Sequence, residues 1–352
     1  MDQFYLLLLS ISIPIPITWF SIDIIRKISI KFRVFAVPNE RSSHSKIVPA
    51  TGGLALLISW LVIIFLQTPL NQYPLNGDLY FFMLAGIIIA IVGFYDDLKE
   101  MPSLLKLLMQ VFVFFIISFT DNILINSFHG LFGIYEIGYL ESVTFSLFVF
   151  IVIVNSINLV DGIDGLSASL SLFFLMISSY IYYISDYYYL LLLLSFISTL
   201  FVFLYFNFST TKKIFLGDTG SLGLGLFIAV LSLSFLNTNH PSFGYFPFNP
   251  ALFVVLMLSY PLLDVIRVFI IRIYNRKSFM EPDRNHIHHK LVDIGLSHKE
   301  SVILIVLFQL LFLIINTVLS NFLSLHFLIL INIIIVLTIT YILYKIPNKL
   351  IS

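Results

Sequence analysis

The chain has 352 residues, of which 59% are apolar and 11% charged, with no cysteine and with 19 basic residues balancing 19 acidic ones. An ordinary soluble domain carries roughly 25% charged residues, so this composition excludes a soluble enzyme, a disordered chain and a nucleic-acid binder. The lack of cysteine excludes disulfides, iron–sulfur clusters and thiolate zinc sites. What remains is an all-α, polytopic integral membrane protein, read here as one domain over residues 1–352.

A helix needs about 20 apolar residues to cross the hydrocarbon core. In chain order eleven runs qualify, at about residues 4–25, 52–68, 79–95, 104–120, 143–158, 166–184, 187–206, 221–236, 250–271, 303–320 and 325–344. Pro14 and Pro16 should kink the first. It has no basic leader and no small-residue cleavage site, so it reads as a retained span rather than a signal peptide. Residues 121–140 are ambiguous and suit a short interfacial element. All 19 Lys and Arg fall in alternate loops or at the C-terminal end, and the intervening loops carry none. By the positive-inside rule the N-terminus is outside, the C-terminus inside, and five loops face the cytoplasm.

The polar residues cluster in those five loops. The third span ends Gly93-Phe94-Tyr95-Asp96-Asp97. Two adjacent acids repel each other and oppose the negative end of a helix. Either this is a solvated helix end relieved by Lys99, or a cation or proton occupies the site, and paired carboxylates at a membrane surface suit Mg²⁺ with phosphate oxygens. The fifth span runs out in Asn155-Ser156-Ile157-Asn158-Leu159-Val160-Asp161-Gly162-Ile163-Asp164-Gly165. If helical, Asn155, Asn158, Asp161 and Asp164 would make one polar stripe, although Gly162 and Gly165 disfavour a regular helix there. Such a stripe suits a ligand cavity or a polar packing seam.

Next, Phe215-Leu216-Gly217-Asp218-Thr219-Gly220-Ser221 is a Gly-rich turn opening a helix. Thr219 or Ser221 could cap that helix, and its amides could hold an anion. Asp218 would repel a bare phosphate unless a metal bridged them, an N-cap role being the alternative. Asn207, ending the preceding span, could serve the same cavity. Asp264 with Arg267 reads as a structural ion pair, as does Asp23 with Arg26. The largest cytoplasmic loop carries Pro282-Asp283-Arg284-Asn285-His286-Ile287-His288-His289. Beside Arg284 and Lys290 it reads as a donor-rich phosphate clamp, with zinc the runner-up. In the first loop, Arg41, His44 and Lys46 could meet anionic headgroups.

Taken in order, PNERSSH, GG, GFYDD, NSINLVDGIDGL, FLGDTGSLGLG, PLLDVIRV and DRNHIHHKL, over residues 38–289, resemble the polyprenyl-phosphate N-acetylhexosamine-1-phosphate transferases, glycosyltransferase family 4. Two further membrane helices follow in 303–344. The HIHH form looks more like the O-antigen-initiating branch than the peptidoglycan branch. Leu104, Ile47 and Ala50-Thr51 depart from common family residues.

The resemblance implies that Asp96 and Asp97 lie beside the lipid phosphate and metal, and that Asp218, with Asp97, holds Mg²⁺ (or Mn²⁺). It implies that Asn155, Asn158, Asp161 and Asp164 line the nucleotide-sugar site and that Lys106 faces the nucleotide. His286, His288 and His289 would lie near the diphosphate. The implied reaction moves a sugar 1-phosphate from a UDP-sugar to undecaprenyl phosphate at the cytoplasmic face of a bacterial inner membrane, with UMP released. UDP-N-acetylglucosamine is the first choice of donor, with fucosamine- and quinovosamine-type sugars as alternatives and a homodimer left open. The competing class is a transporter, whose sites usually lie nearer the bilayer midplane.

Overall fold

The structure is a computed structural model that describes residues 3–36, 48–70, 77–120, 123–238, 249–276 and 285–345. Its helices, in chain order, are α1 (Gln3–Ser12), α2 (Pro14–Phe32), α3 (Gly52–Leu70), α4 (Gly77–Leu98), α5 (Ser103–Ile117), α6 (Tyr139–Leu159), α7 (Leu166–Ser185), α8 (Tyr187–Asn207), α9 (Gly217–Leu236), α10 (Pro250–Met257), α11 (Ser259–Tyr274), α12 (Ile287–Asp293), α13 (His298–Leu319) and α14 (Leu325–Lys345). A two-stranded antiparallel ladder, β1 (Phe35–Ala36) with β2 (Val48–Pro49), closes the neck of the first loop. Within 121–140, the ambiguous stretch suited to a short interfacial element, there is a 3₁₀ turn at Leu131–Gly133.

Among the described residues, seven helical stretches, α1 with α2 counted as one, are long and apolar enough to cross a membrane, or eight if α10 and α11 form one bent span. Runs expected to span at 52–68, 104–120 and 325–344 fall on shorter apolar helices. Two breaks have the same cause. Pro14 has no N–H for the Ser10 carbonyl, and Ser195 Oγ from α8 donates to that carbonyl instead at 3.0 Å. Pro261 has none for the Met257 carbonyl, and Gln309 Nε2 from α13 supplies the missing donor at 2.6 Å. A proline frees a carbonyl, and in an apolar setting a neighbouring helix has to satisfy it. The α10–α11 bend of 74° was not foreseen from the sequence, where 250–271 reads as a straight span.

Helix α9 is the centre of the bundle. It is buried nearly all round, and α3, α4, α6, α7 and α10 pack against it. With little hydrophobic drive between helices in lipid, close backbone approach through small residues supplies the attraction. At Gly93 of α4, a Cβ would lie 2.5 Å from the Thr219 backbone, so only glycine lets α4 cross the first turn of α9 there.

The loops assigned to the basic side converge at one end. Arg26 Nη2 donates to the Thr211 carbonyl at 3.1 Å, while Asp23 pairs with Lys27 at 2.5 Å rather than with Arg26. Phe215 N–H donates to the Pro49 carbonyl at 2.8 Å, and Gly52 and Gly53 N–H return bonds to the carbonyls of Phe215 and Leu216 at 2.9 and 2.8 Å. The opposite end is tied separately, for example by Asn237 Nδ2 to the Leu124 carbonyl and Asn249 Nδ2 to the His129 carbonyl.

Gly93→Val should force α4 off α9 and cost on the order of 1–3 kcal/mol or more. We expect a clearly lower thermal unfolding midpoint in detergent. Gly86→Val on the same helix, where a Cβ meets nothing within 4 Å, should leave the midpoint near wild type. Equal midpoints for the two variants would contradict this packing.

Candidate active site

The acids of the third span meet the start of α9. Asp97 Oδ1 accepts Asp218 N–H at 2.7 Å, and Oδ2 accepts Thr219 N–H at 3.0 Å and the Thr219 hydroxyl at 2.6 Å. This corrects the expected capping. The first amides of α9 are capped by a carboxylate from α4, not by Thr219 or Ser221 of the helix itself. It also resolves the misplaced acid, because the charge that opposes the C-terminal end of α4 rests on the positive end of α9. Gly217, at φ +72°, makes the turn, and a Cβ there would lie 2.7 Å from Asp97 Oδ2.

Asp96 bonds other partners beside Asp218. Its Oδ1 accepts Met101 N–H at 2.6 Å, which fastens the short α4–α5 connection, and its Oδ2 pairs with Lys106 Nζ at 2.5 Å. Lys106 also lies 3.4 Å from Asp218 Oδ2, so one ammonium stands between two carboxylates. Asn158 Nδ2 donates to Asp218 Oδ1 at 2.5 Å and to Ser221 Oγ at 2.8 Å.

The polar stripe expected after the fifth span splits. Asn155 and Asn158 stay on α6. Asp161 and Asp164 lie on the turn that follows, which Gly165 closes at φ +76°. Asn155 exchanges amide hydrogen bonds with Gln110 of α5. Burial first, then the charges of Asp218, Asp97 and Asp164, push the Asp161 carboxyl well above the usual carboxylate range. Asp164 is also lifted by burial, but hydrogen bonds from His298 Nδ1 at 2.7 Å and Lys213 Nζ at 2.6 Å outweigh this and hold it below its ordinary value. Asn207 braces the loop before α9, its Nδ2 donating to the Ile214 carbonyl at 2.8 Å.

The histidine loop lies on this turn. A Cβ on Gly162 would run into His288 Nε2 and would come within 3.2 Å of the His289 ring. The three imidazoles pack together, with centroids 5.3 Å apart for His286 and His288 and 4.3 Å for His288 and His289. Burial pushes His288 well below the ordinary histidine range, so it is neutral at neutral pH. The Asp264–Arg267 pair expected from the sequence exists, at 3.2 Å, but Asp264 also bonds His286 Nδ1 at 2.7 Å. Arg41, His44 and Arg284 lie outside the described residues.

Two donor sets could be weighed for a metal. Asp96, Asp97, Asp161 and Asp218 offer only oxygens, which suit a hard cation such as Mg²⁺. Asp161 has no side-chain hydrogen bond among the described residues and lies in the field of three other carboxylates. A cation there would relieve a charge excess that Lys106 alone does not, so these residues fit the group. Asp264, His286 and His288 also lie within metal-binding reach of one another. There, however, Arg267 already covers Asp264 Oδ1 and the His286 imidazole proton covers Oδ2, so the Asp264 carboxylate is satisfied without zinc.

Four partners escaped the sequence reading. Gln110 was legible as the polar residue one turn after Lys106 on an apolar helix. Lys213 carries a topology signal in the sequence and no other. His298 opens α13 inside a capping box of Ser297 and Glu300, and nothing local ties it to Asp164. Asp264 was read as an ion pair alone.

A model of the family described as glycosyl transferase family 4 matches residues 79–236. A probable undecaprenyl-phosphate N-acetylglucosaminyl 1-phosphate transferase of Bacillus subtilis (strain 168) is 32% identical over 300 residues, covering 85% of this chain and 80% of that protein. A decaprenyl-phosphate N-acetylglucosaminephosphotransferase of Mycobacterium leprae is 28% identical over 312 residues, covering 83% and 78%. An undecaprenyl-phosphate alpha-N-acetylglucosaminyl 1-phosphate transferase of Yersinia pestis is 27% identical over 291 residues, covering 80% and 76%. These likenesses run through the acidic turns and the α9 start whose geometry is described above, and on them the chain belongs to glycosyl transferase family 4.

Proposed function

We propose that the protein transfers an N-acetylhexosamine 1-phosphate from a UDP-sugar to undecaprenyl phosphate, releasing UMP and starting a cell-envelope glycan. The observation that carries this reading is one end of an apolar bundle where Asp96, Asp97, Asp161 and Asp218 gather beside three packed imidazoles. A lipid phosphate and a water-soluble nucleotide can meet there and nowhere deeper. UDP-N-acetylglucosamine is the preferred donor, because each relative described above is named for N-acetylglucosamine transfer. The HIHH loop favours an O-antigen-type product.

The chain would cross a bacterial inner membrane eleven times, with α3, α5 and α14 as the three shorter spans, the N-terminus outside and the site facing the cytoplasm. Asp218, the lone pair of Asp97 left by the three α9 donors, and Asp161 would hold Mg²⁺ or Mn²⁺. The ion would supply neutralising charge for the diphosphate. Lys106 and the loop residues His286, His288, His289, Arg284, Arg41 and His44 add the donors that draw in the anion. Asn155, Asn158, Asp164 and Asn207 shape the nucleotide-sugar side.

The chemical step is direct attack. A phosphate monoester loses its second proton near pH 6, so the lipid phosphate is already nucleophilic near neutrality. Its oxygen bonds the β-phosphorus, the bond from that phosphorus to the oxygen bridging the two phosphates breaks, and UMP leaves with the electron pair. Asp96 or Asp97, at the membrane surface, takes any remaining proton. An aspartate nucleophile would instead have to approach a diphosphate as an anion among anions.

Three outcomes check this account. Asp218→Asn should lower turnover by about 100-fold or more, the order seen when one preorganised charged or polar group is lost, while the unfolding midpoint stays close to wild type. Wild-type turnover in that variant would contradict the assignment. Without lipid, the enzyme should neither release UMP nor exchange labelled UMP into UDP-sugar. Labelled sugar phosphate trapped on an aspartate would refute direct attack. Single cysteines at residues 73 and 243 should react with an impermeant reagent from outside intact cells, and those at 160 and 285 should not. External labelling at 285 would overturn the topology.

A further inference from the structure

The carboxylate of Asp264 has no solvent exposure, and three donors from two chain segments fill it. Arg267 Nη2 and Ile287 N–H reach Oδ1 at 3.2 and 2.9 Å, and His286 Nδ1–H reaches Oδ2 at 2.7 Å. Arg267 also donates to the Asn285 carbonyl. Asp264 sits just past the α10–α11 bend, while His286 and Ile287 open α12. The pair therefore fastens the histidine loop to the bent helix at the place where the loop meets the Gly162 turn.

Burying a carboxylate is costly unless its partners are well placed. A leucine or methionine would pack α11 more cheaply, so the charge calls for a role beyond packing. A neutral imidazole has one donor nitrogen and one acceptor. Because a carboxylate only accepts, the 2.7 Å bond puts the proton on Nδ1 of His286. Nε2 is then left as the acceptor, and it has no hydrogen bond to any described residue. His288 lacks this help. Its Nδ1 is 3.9 Å from Asp264 Oδ2 and 3.4 Å from the Tyr260 hydroxyl, and its buried Nε2 has no partner. Asp264 thus selects His286 among the three imidazoles.

We propose that Asp264 is a positioning residue of the transfer reaction. Through the Nδ1 hydrogen bond it fixes the tautomer and ring orientation of His286, and through Ile287 N–H it fixes the seating of the loop, so that His286 Nε2 is presented to the diphosphate of the nucleotide sugar. This inference rests on the reading of His286 as a diphosphate contact. An imidazolium has a donor at each nitrogen, so with Nδ1–H held by Asp264 it offers Nε2–H to the anion.

The test is a double-variant cycle on the purified full chain, with steady-state kinetics for both substrates. Asp264→Asn should lower kcat/KM for the UDP-sugar by about 10–100-fold, the loss typical when the residue orienting a functional imidazole is changed, with KM for the lipid phosphate little altered. The Asp264→Asn/His286→Gln double should be no worse than His286→Gln alone, because the first residue acts through the second. If wild type turns over and the two losses multiply in the double, Asp264 does not work through His286 and this inference alone fails. If wild type turns over no UDP-N-acetylsugar, the transferase reading fails and takes this one with it. Should the Asp264 variants not fold, ¹⁵N-histidine spectra of wild-type protein, assigned with His286→Gln, give a second readout. The Nδ1–H tautomer of His286 is expected, and the Nε2–H tautomer would overturn the proposal. Stoichiometric zinc in wild type that is lost in Asp264→Asn would overturn it as well.

Discussion

One carboxylate ties the site together. Asp97 ends α4 and accepts three hydrogen bonds from the first turn of α9, the helix around which the others pack. Without it, two amides at a buried helix start would lack partners, at about 1–3 kcal/mol each. The interaction needs α4 and α9 in backbone contact, and the glycine at position 93 permits that. It also fixes the register of Asp218, the next acid along. Charge placement and helix packing are therefore one constraint here, and neither can be altered without the other.

From that clamp the remaining parts follow outward. Lys106 bridges Asp96 and Asp218 and sets the start of α5 against α9. Asn158 holds Asp218 from α6. Past Asn158 the chain turns at Gly162, low enough for the imidazole loop to lie directly on it. Asp164 then reaches across to Lys213 and to His298 at the head of α13. The result is an acidic floor with a basic and imidazole rim, held by six helices at one end of the bundle. A site built from the ends of rigid helices keeps its geometry better than one built on loops.

Much of this was legible in the sequence, and the rest was hidden for a physical reason. Apolar runs gave the helices, because twenty apolar residues in a row have few other uses. Asp96, Asp97, Asp161 and Asp218 stood out because acids beside apolar spans are costly. Partnerships were not legible, since nothing local to Asp97 says that it will cap a helix 120 residues later. The same holds for Asp164 with His298. Pro261 was visible, yet its consequence depended on Gln309 being there to accept the freed carbonyl's demand for a donor. Asp264 and Arg267 looked complete as a pair at helical spacing, which concealed the bond to His286.

The account turns on a sugar 1-phosphate, rather than a sugar alone, passing to a lipid phosphate. The most direct measurement offers purified protein undecaprenyl phosphate, Mg²⁺ and a panel of UDP-N-acetylsugars, and weighs the lipid product while identifying the nucleotide released. The account predicts a lipid carrying a diphosphate-linked N-acetylhexosamine, formed one for one with UMP, and formed best from UDP-N-acetylglucosamine. Release of UDP with a monophosphate-linked sugar, or no lipid product from any donor, would contradict it.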